Sequence, residues 1–281
     1  MRAWADLPQT RVVTERSQRY DIVGDVHGCG SELEELLTRL GYGIDGDVIR
    51  HPDRRHFIFL GDLVDRGPDT VAVLRMAMAS VAAGTASCVV GNHDDKFRRA
   101  LLGRPVKIKH GLAETLEQVG REKDRFRKQV MAFIEGLPDH LVLDTGRLVV
   151  AHAGLPEALH GRSSRRARDF AMYGLTTGRL DAEGLPERLD WAADYAGRAM
   201  VVYGHTPVVE PVWVNRTIDI DTGCVYGHRL TALRYPEEEL VAVPARRIYV
   251  EKSGPFRLVG PGGAAASFKP RPDASDAGRD R

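Results

Sequence analysis

The segment Gly61–Gly67, with the sequence GDLVDRG, decides the fold that we predict for this chain. The residues before it, Phe57–Leu60 (FIFL), form an apolar run bounded by charge, as is typical of a buried strand. Two aspartates and an arginine follow at the carboxyl end of that strand, where open α/β sheets bind ligands. A carboxylate there can bridge two hard cations, and an arginine beside it can hold a phosphate with its planar guanidinium. Asp-rich turns are often only turns, so this interpretation depends on the rest of the chain.

The same design occurs three times in the first half of the chain. Strand Tyr20–Val23 leads into Gly24–Gly28 (GDVHG), and strand His56–Leu60 leads into GDLVDRG. A third strand, Ser87–Val90, leads into Gly91–Asp94 (GNHD). Helices are predicted after these loops, and such alternation of strands and helices favours parallel pairing in an α/β sheet.

Local signals set the expected ends of the helices. Ser31 and Glu34 have the spacing of a capping box, and Gly41 is typical of a helix end. Pro68 suits the first turn of the second helix. Residues 95–137 are predicted to be mainly helical.

The second half of the chain is predicted to consist mainly of strands. Leu141–Asp144 and Leu148–Ala151 alternate around Thr145 and Gly146, which indicates a hairpin whose second strand ends in HAG (152–154). Further strands are predicted at Ala199–Tyr203, followed by GHTP (204–207), at Thr217–Ile220, followed by DTG (221–223), at Leu230–Tyr235 and at Val241–Val243.

The composition is that of an ordinary globular protein of 281 residues. The net charge of +1 provides no overall attraction to nucleic acid or to a membrane. The three cysteines, Cys29, Cys88 and Cys224, contain no CxxC pair, which favours reduced thiols in a cytoplasmic protein. No apolar run approaches the roughly 20 residues of a membrane helix, and the N-terminus lacks a secretory signal. We expect residues 1–18 to be a loose lead-in and residues 254–281 to be a disordered tail.

Six strand ends carry polar side chains that can bind a metal or a phosphate. Because they are expected at one edge of a sheet, their burial without a ligand would be costly. Mixed carboxylate, imidazole and amide groups suit Mn²⁺, Fe²⁺, Zn²⁺, Ni²⁺ or Co²⁺ better than Mg²⁺, and more than four candidates suit two ions. The side chains are Asp25 with His27, Asp62 with Asp65 and Arg66, Asn92 with His93, His152, His205, and Asp221.

The motifs GDVHG, GDLVDRG, GNHD, HAG and GH, in this order over about residues 20–235, resemble those of the binuclear metallophosphoesterases. The resemblance is to the phosphoprotein-phosphatase branch. Relatives outside that branch carry a second metal-binding histidine in a GHxH motif, where this chain has Pro207. The resemblance implies a calcineurin-like α/β fold over residues 19–253, with two packed mixed β-sheets flanked by helices and the metals at the strand ends.

The resemblance also implies a role for each motif residue. A hydroxide shared by two divalent metal ions, with Mn²⁺ as the first candidate, would attack phosphorus. His93 would protonate the leaving oxygen, Asp65 would orient His93, and Arg66 would hold the phosphate oxygens. Asp221 would support a ligand or contact the substrate. The implied metal ligands are Asp25 and His27 for the first ion, Asp62 for both ions, and Asn92, His152 and His205 for the second.

Four further runs resemble the phosphatase module of bacterial polynucleotide kinase-phosphatases, which repair RNA ends. We therefore expect hydrolysis of 2′,3′-cyclic, 2′- or 3′-phosphate ends of RNA or nucleotides. A protein serine/threonine phosphatase and a dinucleoside tetraphosphate hydrolase are the alternatives. The chain has no GxxxxGK[ST] loop and is too short for a ligase, so kinase and ligase modules would act in trans or belong to a longer parent chain. The runs are HGLAETLEQ (110–118), YGLTTG (173–178), YGHTPVVEP (203–211) and DTGCVYGHRLTALRYPE (221–237).

Two basic stretches follow active-site loops, where they would reach the phosphates of an RNA substrate or form solvated helix faces. In the first case, activity on oligonucleotides would fall with salt while activity on a small ester would not. The stretches contain Lys96, Arg98, Arg99, Arg104, Lys107 and Lys109 after GNHD, and Arg162, Arg165, Arg166 and Arg168 after HAG.

Overall fold

The computed structural model describes residues 10–12, 18–180, 186–252, 254 and 256. Within these residues the strands, in chain order, are β1 (Thr10–Val12), β2 (Tyr20–Val23), β3 (Gly43–Asp45), β4 (Val48–Arg50), β5 (His56–Phe59), β6 (Ala86–Cys88), β7 (His140–Leu143), β8 (Leu148–Ala151), β9 (Thr176–Leu180), β10 (Pro186–Arg188), β11 (Met200–Tyr203), β12 (Trp213–Val214), β13 (Thr217–Asp219), β14 (Arg229–Tyr235) and β15 (Glu239–Pro244). The α-helices are α1 (Gly30–Leu40), α2 (Thr70–Ala82), α3 (Asn92–Leu101), α4 (Leu112–Gly120), α5 (Asp124–Glu135) and α6 (Arg165–Tyr173).

The first sheet has five strands in the order β15-β14-β2-β5-β6. Strands β2, β5 and β6 pair in parallel, so the loops that follow them lie at one edge of the sheet. Strand β14 pairs antiparallel with both β2 and β15. The parallel pairing predicted for the first half of the chain is therefore confirmed.

The second sheet has six strands in the order β1-β7-β8-β11-β13-β12. Strands β7 and β8 form the predicted hairpin, joined by a short 3₁₀ turn over Asp144–Gly146. Strands β8, β11 and β13 are parallel, so the loops HAG, GHTP and DTG follow the same edge of this sheet. Two antiparallel ribbons, β3 with β4 and β9 with β10, lie outside the two sheets.

An apolar layer fills the space between the two sheets. Ile22 and Ile58 of the first sheet belong to the same buried cluster as Val150, Val202 and Ile218 of the second sheet. Because successive side chains of a strand point to opposite faces, the residues between them face the helices. Helices α1 to α5 contribute to the core on the first sheet, and α6 packs on the second. The predicted architecture, two packed mixed sheets flanked by helices, is confirmed.

The first helix, α1, begins differently from the prediction. The N-cap of α1 is Cys29, with no side-chain cap, so the capping box predicted from Ser31 and Glu34 is wrong. The buried acid of this turn is Glu32, whose carboxylate accepts hydrogen bonds from the Arg246 N–H and the Tyr249 hydroxyl. Tertiary contacts with the chain near β15 therefore fix this helix start. The left-handed residue at the end of α1 is Gly41, as predicted.

Three further predictions agree with the structure only in part. Pro68 precedes α2, because the N–H of Asp69 bonds to the Gly28 carbonyl at 2.9 Å and the helix begins at Thr70. The predicted loose lead-in contains β1, which pairs with β7, so that prediction is wrong for Thr10–Val12. In the predicted tail, Phe256 is buried and lies against the ring of His228. The other positions of 1–17 and 257–281 lie outside the described residues.

All three cysteines are buried free thiols. None of the described helices combines the length and apolar character required to cross a membrane.

A buried ion pair fixes the start of β2 to the neighbouring chain. The Arg55 guanidinium donates to both carboxylate oxygens of Asp21, each at 2.8 Å, and to Glu237. The Tyr42 hydroxyl donates to Asp21 at 2.9 Å. Asp21 is fully buried, so its charge depends on these donors and on Arg234.

We expect Arg55→Ala to lower the free energy of unfolding by about 3–5 kcal/mol, because it leaves the Asp21 carboxylate buried without its main partner. The matched control is Arg121→Ala, which removes an exposed i,i+4 pair with Glu117 and should cost less than about 1 kcal/mol. Urea unfolding followed by circular dichroism measures both values. Equal losses in the two variants would contradict the role given to Arg55.

Candidate metal centre

Hydrogen bonds between loops hold the motifs together. The backbone N–H of His27 donates to the Asp62 carbonyl at 2.8 Å, which joins GDVHG to GDLVDRG. The Asp94 carboxylate accepts from the N–H of Leu63 and of Gly91, each at 3.0 Å, which joins GDLVDRG to GNHD. These contacts place the three loops of the first sheet around one point.

The glycine of GNHD is required by a close approach of two loops. A Cβ atom at Gly91 would overlap the backbone nitrogen of Asp62. The approach brings the His93 N–H to 2.9 Å from Oδ1 of Asp62. One oxygen of this buried carboxylate is therefore fixed by the backbone, and the other is left for a ligand.

The ring of His27 presents a lone pair to Asp62. Its Nδ1 lies 2.8 Å from the Val64 carbonyl, which can only accept, so Nδ1 carries the proton. Its Nε2 is then an acceptor and lies 3.6 Å from Oδ2 of Asp62. A backbone carbonyl that fixes the tautomer in this way is common for metal-binding histidines.

The second sheet supplies a similar arrangement. The His152 Nδ1 donates to the Leu60 carbonyl at 3.1 Å, so its Nε2 is an acceptor. This Nε2 lies 3.0 Å from Oδ1 of Asn92, 3.0 Å from Nδ1 of His205 and 3.5 Å from Oδ2 of Asp62. The Nε2 atom of His205 is buried and has no hydrogen-bond partner among the described residues.

These donor atoms fit divalent cations. Two ligands that are each ~2.1 Å from one tetrahedral ion lie about 3.4 Å apart, and Oδ2 of Asp62 lies at such a distance from the acceptor nitrogens of both His27 and His152. Within the described part of the chain, two groups of possible ligands share this carboxylate, each with its ligand atoms within 4.8 Å: His27 with Asp62 and His93, and Asp62 with His152 and His205. The geometry supports a shared position for Asp62.

Asp25 lies outside both groups. Its carboxylate accepts a hydrogen bond from the His205 N–H at 3.2 Å and lies 3.9 Å from Nδ1 of His152. Its position is next to the centre, and its assignment to the first ion stays a prediction. Burial, followed by repulsion from Asp221 and Asp62, raises the pKa of Asp25 well above its usual range.

The electrostatics of the site favour a positive ligand. Burial raises the pKa of Asp62 well above its usual range, and burial also lowers the pKa values of His27 and His205. Buried carboxylates beside neutral imidazoles are costly unless a cation offsets their charge. A bound divalent ion would reverse the effect of burial by stabilising the ionised carboxylates.

The predicted pair of His93 and Asp65 is in contact. The Nδ1 atom of His93 lies 2.5 Å from Oδ2 of Asp65, and the N–H of Asp65 donates to the Thr115 hydroxyl at 3.0 Å. Burial raises the pKa of Asp65 to about 6 and lowers that of His93, which the Arg66 guanidinium lowers further. The carboxylate orients the ring so that Nε2 faces the centre.

Arg66 lies among the imidazoles. Its guanidinium donates to Nε2 of His27 at 2.5 Å and to Nε2 of His93 at 2.9 Å. The guanidinium also lies over the Tyr226 ring, 5.3 Å from its centroid. These two contacts use two of the five N–H donors of the guanidinium, and the predicted contact with a phosphate stays a prediction.

Asp221 lies beside Asp25 and is also buried. Its Oδ1 accepts a hydrogen bond from the Gly223 N–H at 3.0 Å, and burial raises its pKa to about 6. The structure therefore places Asp221 next to a predicted ligand, and its role stays a prediction.

Some side chains of the two basic stretches form ion pairs or hydrogen bonds with neighbouring residues of the fold. Arg168 donates to Asp139 at 2.7 Å and to Asp95 at 3.2 Å, and Arg98 pairs with Asp95 and Glu135. The Lys96 ammonium donates to the Lys109 carbonyl at 2.7 Å. These three cations support local structure, and the predicted contact with RNA remains untested.

Four residues near the centre are not among those predicted from the sequence. Asp94 is the last residue of GNHD, so its position in the motif was a usable signal. Tyr226 follows DTG closely and contacts Arg66, whereas Thr115 and Arg188 have no local signal in the sequence. The charge of Arg188 contributes to the lowered pKa values of His152 and His205, so it also lies near the centre.

The sequence is similar to those of known proteins. The model of the calcineurin-like phosphoesterase family matches residues 19–241. The bis(5′-nucleosyl)-tetraphosphatase PrpE [asymmetrical] of Anoxybacillus flavithermus is 48% identical over 242 residues, which cover 84% of this chain and 99% of that protein. The protein of the same name from Bacillus subtilis is 47% identical, covering 83% of this chain and 97% of its own length.

Two solved structures show the same fold. A putative diadenosine tetraphosphatase superposes with a TM-score of 0.61 at 23% identity, over 84% of this chain and 97% of that chain. A protein serine/threonine phosphatase from Saccharomyces cerevisiae superposes with a TM-score of 0.57 at 14% identity, over 90% of this chain and 88% of that chain. Together with the family match over most of the sequence, these findings show that the chain belongs to the calcineurin-like phosphoesterase family.

Proposed function

We propose that this chain is a metal-dependent hydrolase that cleaves dinucleoside tetraphosphates asymmetrically, into a nucleoside triphosphate and a nucleoside monophosphate. The observation that carries the proposal is the 48% identity to a tetraphosphatase of that specificity over 99% of its length. The arrangement of Asp62 between two groups of metal-binding side chains supports hydrolysis at phosphorus.

The substrate in this proposal was an alternative in the sequence analysis, where RNA ends came first. The two relatives with 47–48% identity are tetraphosphatases, and they do not support the resemblance to a polynucleotide kinase-phosphatase. The two enzyme types share the phosphoesterase motifs, so short runs beside those motifs do not separate their substrates. Activity on RNA ends is therefore kept as an outcome of the substrate test.

The metal-binding residues divide between the two sheets. In our proposal His27 and Asp25 hold one ion, and Asn92, His152 and His205 hold the other, with Asp62 shared. Two bound divalent ions, Mn²⁺ in our proposal, would activate water and neutralise charge on the phosphate.

The remaining residues act on the substrate itself. Asp65 holds Nδ1 of His93, so that Nε2 is directed at the leaving oxygen. Arg66 donates to this Nε2 in the structure, which keeps the nitrogen unprotonated. We infer that Arg66 turns to the phosphate oxygens, so that Nε2 can take up a proton from water and pass it to the leaving oxygen, while Asp65 stabilises the charged ring. A single movement of the Arg66 side chain would thus bind the substrate and free Nε2 of His93.

The substrate assignment is tested by giving the Mn²⁺-loaded protein diadenosine tetraphosphate, a 3′-phosphorylated oligonucleotide and a phosphopeptide at equal concentration. We expect kcat/KM for the tetraphosphate to exceed the other two values by at least about tenfold, because only this substrate would use the whole site in its transition state. Adenosine triphosphate and monophosphate should form in equal amounts. Faster turnover of the oligonucleotide or the phosphopeptide would overturn the proposal.

The shared carboxylate gives a second prediction. Asp62→Asn keeps the shape of the side chain and removes its charge, so it should lower kcat by more than about 100-fold and reduce the bound metal. Asp45→Asn, at an exposed position on β3, is the matched control and should change neither value. Elemental analysis of the dialysed protein measures the metal. Activity within tenfold of the unaltered protein, with its full metal content, would show that Asp62 is not shared.

The proton donor gives a third prediction. His93→Ala should slow hydrolysis of phenyl phosphate by about 100-fold or more, because its leaving oxygen needs a proton. Nitrophenyl phosphate has a better leaving group and should lose less than about tenfold. The measurement is kcat for a series of aryl phosphates plotted against leaving-group acidity. A parallel fall of the whole series would show that His93 does not act as the acid.

A further inference from the structure

A large cavity opens on the side of the second sheet that carries α6. It has a volume of about 1020 Å³ and lies between α6 and the segment 191–197. Phe170, Tyr173, Trp191 and Tyr195 contribute its aromatic walls. Cavities of about this size are typical of small-molecule sites.

This cavity continues towards the metal centre. A smaller cavity shares Gly174, Leu175 and Trp191 with it and is also lined by Arg188 and His205. The smaller cavity has a volume of about 20 Å³. Since His205 is one of the predicted metal ligands, the shared residues mark a narrow path from the metal centre to the aromatic walls.

One wall of the path is a tightly packed tryptophan, and the other is formed by partly exposed side chains. Trp191 lies 5.1 Å from the ring of Tyr203 and 5.9 Å from that of Phe170, and a Cβ atom at Gly154 would overlap its indole. Tyr173 and Leu175, in contrast, are each 41% exposed. An exposed apolar surface beside a polar centre is typical of a ligand site.

Positive charge lies along the same path. Arg188 lines the smaller cavity together with His205, and it donates to the Tyr173 carbonyl at 2.6 Å. It therefore lies between the metal centre and the exposed tyrosine. Arg165 and Arg166 also line the large cavity, but Glu157, Asp169 and Asp194 line it too, and Arg165 pairs with Asp169 at 3.6 Å.

We infer that the large cavity binds the base of one nucleotide of the substrate, with Tyr173 as the stacking surface and Arg188 as a contact for the phosphate chain. This inference rests on the proposed function and names the part of the site that recognises the nucleoside. A dinucleoside tetraphosphate needs a flat apolar surface for a base beside the cations that bind its phosphates. The aromatic walls supply the first, and Arg188, which lines the smaller cavity together with His205, supplies the second.

The test compares two inhibitors of nitrophenyl phosphate hydrolysis in an excess of Mn²⁺. Adenosine triphosphate and inorganic tripolyphosphate carry the same number of phosphates, and only the first has a base. We expect the inhibition constant of the nucleotide to be at least about tenfold lower, because base stacking adds to its binding. Tyr173→Ala should reduce this ratio to about twofold or less, and Tyr173→Phe should preserve it, since an aromatic face remains.

A second variant separates the two roles. Arg188→Gln should weaken inhibition by both compounds to a similar degree, because both carry the phosphate chain. Circular dichroism spectra and melting temperatures confirm that each variant is folded. Equal inhibition constants in the unaltered protein, or a preference that survives in Tyr173→Ala, would overturn the inference.

The outcome also separates this inference from the proposed function. If the protein cleaves diadenosine tetraphosphate but does not prefer the nucleotide inhibitor, the function stands and the base site is wrong. If it prefers the nucleotide through Tyr173 but cleaves another substrate faster, the base site stands and the proposed function is wrong.

Discussion

The position of the Asp62 carboxylate is the constraint on which the rest of the site depends. Its Oδ1 is held by the His93 N–H, and its Oδ2 lies 3.6 Å from Nε2 of His27 and 3.5 Å from Nε2 of His152. Burial makes the ionised form of this group costly without a positive partner. A side chain at position 91 would prevent the close approach of this loop to Asp62. The approach therefore holds the Asp62 carboxylate at a buried place where its negative charge needs a cation.

The centre exists only because the two sheets pack against each other. Asp25, His27, Asp62 and Asn92 follow strands of the first sheet, whereas His152 and His205 follow strands of the second. The apolar layer between the sheets sets the distance between these loops. A change in that layer would alter the spacing of the ligands, so stability and chemistry are coupled through the same packing.

Much of the fold and the centre could be predicted from the sequence, because the signals are local. A strand followed by GDLVDRG or GNHD predicts that the motif lies at a sheet edge. The alternation of residues on both sides of Thr145 and Gly146 predicts the hairpin. The start of α1 could not be predicted, since Glu32 is fixed by contacts with Arg246 and Tyr249, more than 200 positions away. Arg188 and the cavity beside it depend on tertiary packing and have no motif. The relatives do not support the order in which the sequence ranked the substrates, because the motifs specify the phosphate and not the groups attached to it.

Anomalous diffraction from a crystal grown with Mn²⁺ tests the central claim most directly. The account predicts two peaks about 3.5–4 Å apart, with Oδ2 of Asp62 in contact with both ions and His27 and His152 on opposite sides. A single peak, or two peaks of which neither contacts Asp62, would contradict it.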